Sequence, residues 1–121
     1  MAGFRERARV SNLARTEAIA EALEAMCDGT LPDEVRLRGR AAAHTVAGSA
    51  GTFGFHEASE QARAIEALLD DVGARADLAS GAHRGLAQLA LLRQDLGDPS
   101  IAEGHSAGDG STRRSGDQPC P

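Results

Sequence analysis

Apolar residues between positions 58 and 72 recur at intervals of four, three, four and three residues. The residues that set this period are Ala58, Ala62, Ile65, Leu69 and Val72, and Leu68 widens the stripe. A period near 3.6 places them all on one side of an α-helix, whereas a half-buried strand would alternate at every second residue. This stretch is therefore predicted to be a helix that packs its apolar side against other elements.

The same spacing continues on both sides of this stretch. It predicts helices over residues 4–27, 31–52, 56–72 and 76–96. Gly29, Gly54, Gly73 and Gly97 follow the predicted helices, and glycine suits the left-handed conformation that ends many helices. The chain is also rich in Ala, Leu, Arg and Glu, which favour helix, and it contains only three aromatic residues, all Phe.

Two helix starts carry capping signals. Asn12 could be the N-cap of a helix that starts at Leu13, which leaves open a short separate N-terminal helix before it. Thr30 is predicted to cap the next helix through its hydroxyl, with Pro32 in the first turn. Asp33 and Glu34 then suit the positive end of the helix dipole.

Short connections between long amphipathic helices favour antiparallel neighbours, so we predict an all-α fold, an antiparallel four-helix bundle. The bundle is expected to span residues 1–97. Residues 98–121 are rich in Gly, Ser, Asp and Pro, and we expect a disordered tail there because so little apolar surface could be buried. Met1 and this tail favour a free-standing domain.

The formal charge of −5 argues against nucleic acid as a partner, because nucleic-acid binders usually present a basic face. No apolar run reaches membrane-spanning length, and no secretory signal follows the N-terminal arginines. Cys27 and Cys120 show no metal-binding spacing, and we predict both to be free thiols in a reducing compartment. A cytoplasmic monomer without membrane contacts is expected.

One histidine lies in an unusual setting within the second predicted helix. At about 100° per residue, the core side of this helix contains Val35, Ala42, Val46 and Phe53, with Ala50 at its edge. The opposite side contains His44, together with Leu37, Arg40, Ala41, Gly48 and Gly51, and with the small Ala47 nearby. His44 should therefore be exposed near the middle of the helix.

Each glycine in a helix interior lowers the stability of the helix by about 1 kcal/mol relative to alanine. The presence of Gly48 and Gly51 in this helix therefore needs an explanation. Small residues around His44 would let a bulky partner approach the imidazole, which is a good nucleophile when neutral. Two alternatives remain open. His44 could be an ordinary surface residue, and the glycines could permit close packing of a neighbouring helix.

The segment HTVAGSAGTFG, residues 44–54, resembles the signature of histidine-containing phosphotransfer (HPt) domains. In that signature a His is followed by an apolar residue at two, a basic residue at three and Gly at four positions, then by small residues and a second Gly. These places hold His44, Val46, Ala47, Gly48, Ser49 with Ala50, and Gly54. ARAIEALL, residues 62–69, resembles the family's next helix, and the resemblance covers roughly residues 10–96.

This resemblance implies a phosphorelay intermediate of two-component signalling. The chain would accept a phosphoryl group at Nε2 of His44 from a receiver-domain aspartate and pass it to another receiver. Response-regulator receivers, and a hybrid histidine kinase, are the implied partners. The receiver would supply Mg²⁺, so we expect no cofactor, no metal and no ATP site here, and hence a phosphoryl carrier that is not an enzyme. The implied contacts of the phosphoryl group and receiver are Arg40, Ala41, Ala47, Gly48 and Gly51.

Ala47 departs from the family pattern, because the family often has Lys there. Arg40, one turn before His44, could substitute with its guanidinium, or could be an ordinary solvated arginine. The departure motivates an alternative function, a helical docking module that binds a receiver or histidine kinase without carrying phosphate. A plain helical bundle with an incidental motif is the third hypothesis.

Overall fold

A computed structural model describes residues 2–71 and 78–97 of the protein, and these residues form four helices. They are α1 (Ala2–Cys27), α2 (Asp33–Thr52), α3 (His56–Asp71) and α4 (Leu78–Asp95), and these ranges contain no strand. Each helix packs against its neighbours in the chain, and α4 packs against α1 to close the bundle. The predicted all-α four-helix bundle is confirmed. The predictions for Val72, Gly73 and the tail 98–121 lie outside the described residues.

The apolar stripe of α3 is buried as the spacing predicts. Ala58, Ala62, Ile65 and Leu69 are inaccessible to solvent, and Leu68 is nearly so. They meet fully buried side chains of the other helices, among them Ile19, Leu23, Met26, Val46 and Leu92. Burial of one such Leu or Ile side chain contributes about 1.5–3 kcal/mol, so the core holds the helices in a fixed register.

The separate N-terminal helix that the sequence left open is not formed, because α1 is continuous from Ala2 to Cys27. Asn12 is fully buried, and its Nδ2 donates to Ser49 Oγ of α2 at 3.1 Å. Its Oδ1 accepts from Arg15 Nη1 at 2.9 Å. Because its amide nitrogen bonds to α2 and its amide oxygen bonds to Arg15 of its own helix, Asn12 has no need of a capping position.

The cap predicted from Thr30 is also wrong. Pro32 is the N-cap residue of α2, and no side chain caps this end. Thr30 belongs instead to the turn that ends α1, where its N–H donates to Ala25 O at 3.2 Å. Asp33 and Glu34 lie in the first turn as expected.

A tight turn joins α2 to α3. Gly54 has a φ of +88°, and its N–H donates to Gly51 O. The N–H of Phe55 donates to Ala50 O at 2.8 Å, which completes a Schellman motif. The buried Phe55 ring lies under the guanidinium of Arg5, 4.0 Å from its centroid. This turn makes α2 and α3 an antiparallel hairpin.

The prediction of free thiols is wrong for Cys27, which is disulfide-bonded, and Cys120 lies outside the described residues. The cysteines therefore give no support to a reducing compartment. Among the helices described, none combines the length and the apolar character needed to cross a membrane.

Candidate functional site

His44 lies near the middle of α2, and 76% of its side chain is exposed. Leu37, Ala41 and Gly48 are exposed on the same helix, as the helical rotation predicts. Val46 and Ala50 are fully buried on its other side. The expectation of an exposed histidine within the helix is confirmed.

The buried side of α2 differs in detail from the prediction. Val35, Ala42 and Phe53 are only half-buried, and the buried residues are Gly39, Ala43, Val46, Ala47 and Ala50. Ala47 was expected beside His44 on the outward side, but it is only 5% exposed. Its carbonyl accepts a hydrogen bond from Ser59 Oγ of α3 at 2.8 Å, because α3 covers this side of α2.

The two glycines near His44 have different surroundings. A Cβ added at Gly51 would lie 3.2 Å from Ser59 Oγ, so close packing against α3 explains this glycine. A Cβ added at Gly48 would have nothing within 4 Å apart from its own helix. No packing contact within the described residues therefore requires glycine at position 48.

Because Gly48 lies in open space, Gly48→Ala is expected to stabilise the fold. The free energy of unfolding should rise by up to about 1 kcal/mol, the difference in helix propensity between alanine and glycine. Urea unfolding of both proteins, followed by circular dichroism, measures this change. A lower free energy of unfolding in the variant would show that Gly48 has a structural role.

Glu66 of α3 is the partner of the imidazole. Its Oε2 lies 3.0 Å from His44 Nδ1, and its side chain is 24% exposed. Because an ionised carboxylate can only accept a hydrogen bond, this contact favours the tautomer that has its proton on Nδ1. In the neutral ring the lone pair then belongs to Nε2, which is free to attack an electrophile.

Arg40 and Arg63 lie on two sides of His44. Arg40 Nε is 3.0 Å from Asp70 Oδ1, and Arg40 lines a shallow depression with Ala41 and His44. Arg63 of α3 lines another depression with His44, Ala47, Gly48 and Glu66. Of the predicted site residues, Gly51 lines neither depression. Within the described ranges, no three His, Cys, Asp or Glu side chains are grouped to hold a metal ion.

Glu66 and Arg63 were not predicted from the sequence, although the turn at Gly54 indicates which residues of α3 lie opposite His44. In an antiparallel hairpin, residues equally far from the turn lie opposite each other. His44 is ten residues before Gly54, so position 64 lies opposite, between Arg63 and Glu66. Among residues 63–66, these two are charged and lie off the buried stripe.

The chain matches one known family over most of its length. A family model described as "Hpt domain" matches residues 10–98 of the 121. Neither the curated proteins nor the solved structures show a significant match to the chain.

Proposed function

The chain belongs to the Hpt domain family, which acts in histidine phosphotransfer of two-component signalling, and we propose that His44 is its phosphoryl acceptor. In this proposal His44 takes the phosphoryl group from an aspartate of one receiver domain and passes it to an aspartate of another. The observation that carries the proposal is an exposed imidazole whose Nδ1 lies 3.0 Å from the Glu66 carboxylate.

The chemistry needs only a nucleophile and its orienting partner from this chain. The Nε2 lone pair attacks phosphorus, the bond from phosphorus to the aspartyl oxygen breaks, and the aspartate leaves with that electron pair. The ring gains a positive charge, which the Glu66 carboxylate stabilises through Nδ1–H. In the second transfer the phosphorus–Nε2 bond breaks, and its electrons return to the ring as a new aspartyl phosphate forms.

The remaining assignments follow from this division of roles. The partner receiver supplies Mg²⁺ and most of the charge stabilisation, so the protein is a carrier without an ATP site of its own. Receiver domains are its partners, together with a hybrid histidine kinase. The proposal places the protein in the cytoplasm as a monomer, where these partners can reach it.

A two-step transfer assay tests the proposal. A receiver of the source organism, carrying a labelled aspartyl phosphate, is mixed with the protein, and an unlabelled second receiver is then added. We expect acid-labile label on the protein after the first step and on the second receiver after the next. If no receiver labels the folded protein, the proposal is wrong.

Glu66→Ala is expected to slow the transfer from the first receiver about tenfold, as befits the loss of one charge-assisted hydrogen bond. Glu66→Gln should be affected less, because its amide oxygen still accepts from Nδ1–H. Single-turnover rates at saturating receiver measure the effect, and circular dichroism checks the fold. Equal rates for Glu66→Ala and the wild type would contradict the orienting role.

A second candidate function is a docking module that binds a receiver without carrying phosphate. It is favoured by Ala47, which gives no positive charge beside His44 where the family often has Lys. This candidate predicts tight receiver binding, for example by calorimetry, while the intact mass of the protein never increases by a phosphoryl group. Any label on His44 excludes it.

A further inference from the structure

Phosphorylation of His44 would create a charge problem at this site. A phosphoryl group carries roughly two negative charges at neutral pH. It would be attached to a ring whose other nitrogen lies 3.0 Å from the Glu66 carboxylate. Nearby negative charges repel each other most where water is partly excluded, and Glu66 is largely buried. The single positive charge of the ring does not balance these negative charges, so a cation beside the phosphoryl group would stabilise it further.

Neither Ala47 nor Arg40, the two positions that the sequence suggested, is well placed to provide this cation. Ala47 is uncharged and lies under α3, with its carbonyl bonded to Ser59. Arg40 is engaged on the other side of His44, where its Nε lies 3.0 Å from Asp70 Oδ1.

Arg63 has the geometry and the freedom that the site requires. It is exposed on α3, one turn before Glu66, and it forms no hydrogen bond or ion pair with any described residue. It lines the depression of about 170 Å³ that contains His44 and Gly48. It also borders a neighbouring depression of about 650 Å³, and Gly48 and Glu60 line this second depression too.

We infer that Arg63 is the phosphoryl-contact residue of this protein, and that it provides from α3 the positive charge that Ala47 does not provide from α2. Its guanidinium presents paired N–H donors that match phosphoryl oxygens, whereas a lysine would act as a point charge. The open space at Gly48 leaves room between Arg63 and His44 for the group. The inference rests on the proposed function of His44.

Direct phosphorylation with phosphoramidate tests this inference without a receiver. Attack by Nε2 breaks the phosphorus–nitrogen bond of the reagent and releases ammonia. The wild type is compared with Arg63→Gln and Arg63→Lys. Arg40→Gln is the matched control, since it removes an arginine from the other side of His44. Intact mass follows the labelling rate, and ³¹P NMR follows the titration of the phosphoryl group.

Arg63→Gln should label about threefold to fivefold more slowly, the size expected of one exposed charge-assisted contact. Arg63→Lys should recover part of the rate, and 1 M NaCl should reduce the difference because salt screens exposed charges. The pKa of the phosphoryl group should be higher in Arg63→Gln, since a nearby cation favours the dianion. Arg40→Gln should change each quantity less.

The outcomes separate the two hypotheses. If the wild type labels on His44 while Arg63→Gln matches it in rate and in phosphoryl pKa, the role of Arg63 is overturned and the proposed function stands. If Arg40→Gln shows the larger effect, Arg40 is the contact residue instead. If His44 of the folded wild type accepts no phosphoryl group from the reagent or from any receiver, both fail.

Discussion

His44→Gln is expected to abolish phosphoryl acceptance from every receiver. The glutamine amide nitrogen has no available lone pair, so no nucleophile remains at this position. The side chain of His44 is 76% exposed, so the variant should keep a free energy of unfolding within about 0.5 kcal/mol of the wild type. Transfer of ³²P from a phosphorylated receiver, with a thermal melt of the same sample, measures both quantities.

Two other exposed histidines provide matched controls for this experiment. His56 begins α3, and His83 lies on α4 with its Nδ1 near the carbonyl of Ala79. His56→Gln and His83→Gln should each accept label to the wild-type extent. Label that persists in His44→Gln, or that disappears in a control that remains folded, would contradict the assignment of His44.

Gly39→Val is expected to be the most destabilising of the substitutions considered, lowering the free energy of unfolding by about 3 kcal/mol. A Cβ at Gly39 would lie 2.7 Å from Ala22 Cβ and 3.2 Å from Ala18 O, both on α1. Neither atom belongs to the far end of a flexible side chain, so α1 and α2 would have to move apart. The midpoint of thermal unfolding should fall by roughly 12–24 °C.

Gly48→Val is the matched control for Gly39→Val, because it introduces the same side chain into the same helix. Nothing outside the helix lies within 4 Å of an added Cβ at Gly48. Its free energy of unfolding should therefore stay within about 0.5 kcal/mol of the wild type. Similar losses in the two variants would show that the close approach of α1 to α2 does not determine the cost.

The period of apolar residues was sufficient to predict the four helices. In α3 large and small apolar residues alternate with charged ones, so the buried side is evident from spacing alone. In α2 the buried side consists mostly of Gly and Ala, and Ala41 on the exposed side has the same chemistry. A buried alanine and an exposed one cannot be distinguished by hydropathy, which is why Ala47 was placed on the wrong side.

Contacts between helices account for the other differences. Asn12 is polar and so suggested a helix boundary, but its partner Ser49 is 37 residues away on α2. Glu66 and Arg63 resemble ordinary solvent-facing charges until α3 is packed beside α2. Their proximity to His44 depends on how α2 and α3 pack, and the spacing of apolar residues within one helix does not specify that packing. The exposure of His44 could be predicted because it depends mainly on the position of this residue around its own helix.

All the residues assigned to the reaction, and the turn that sets their register, come from the α2–α3 hairpin. The proposed reaction assigns no step to a residue of α1 or α4, whose buried residues complete the core. We therefore expect substitutions on the exposed sides of α1 and α4 to leave the contact between His44 and Glu66 intact. We therefore expect that the α2–α3 hairpin is the unit that should transfer intact into a redesigned bundle.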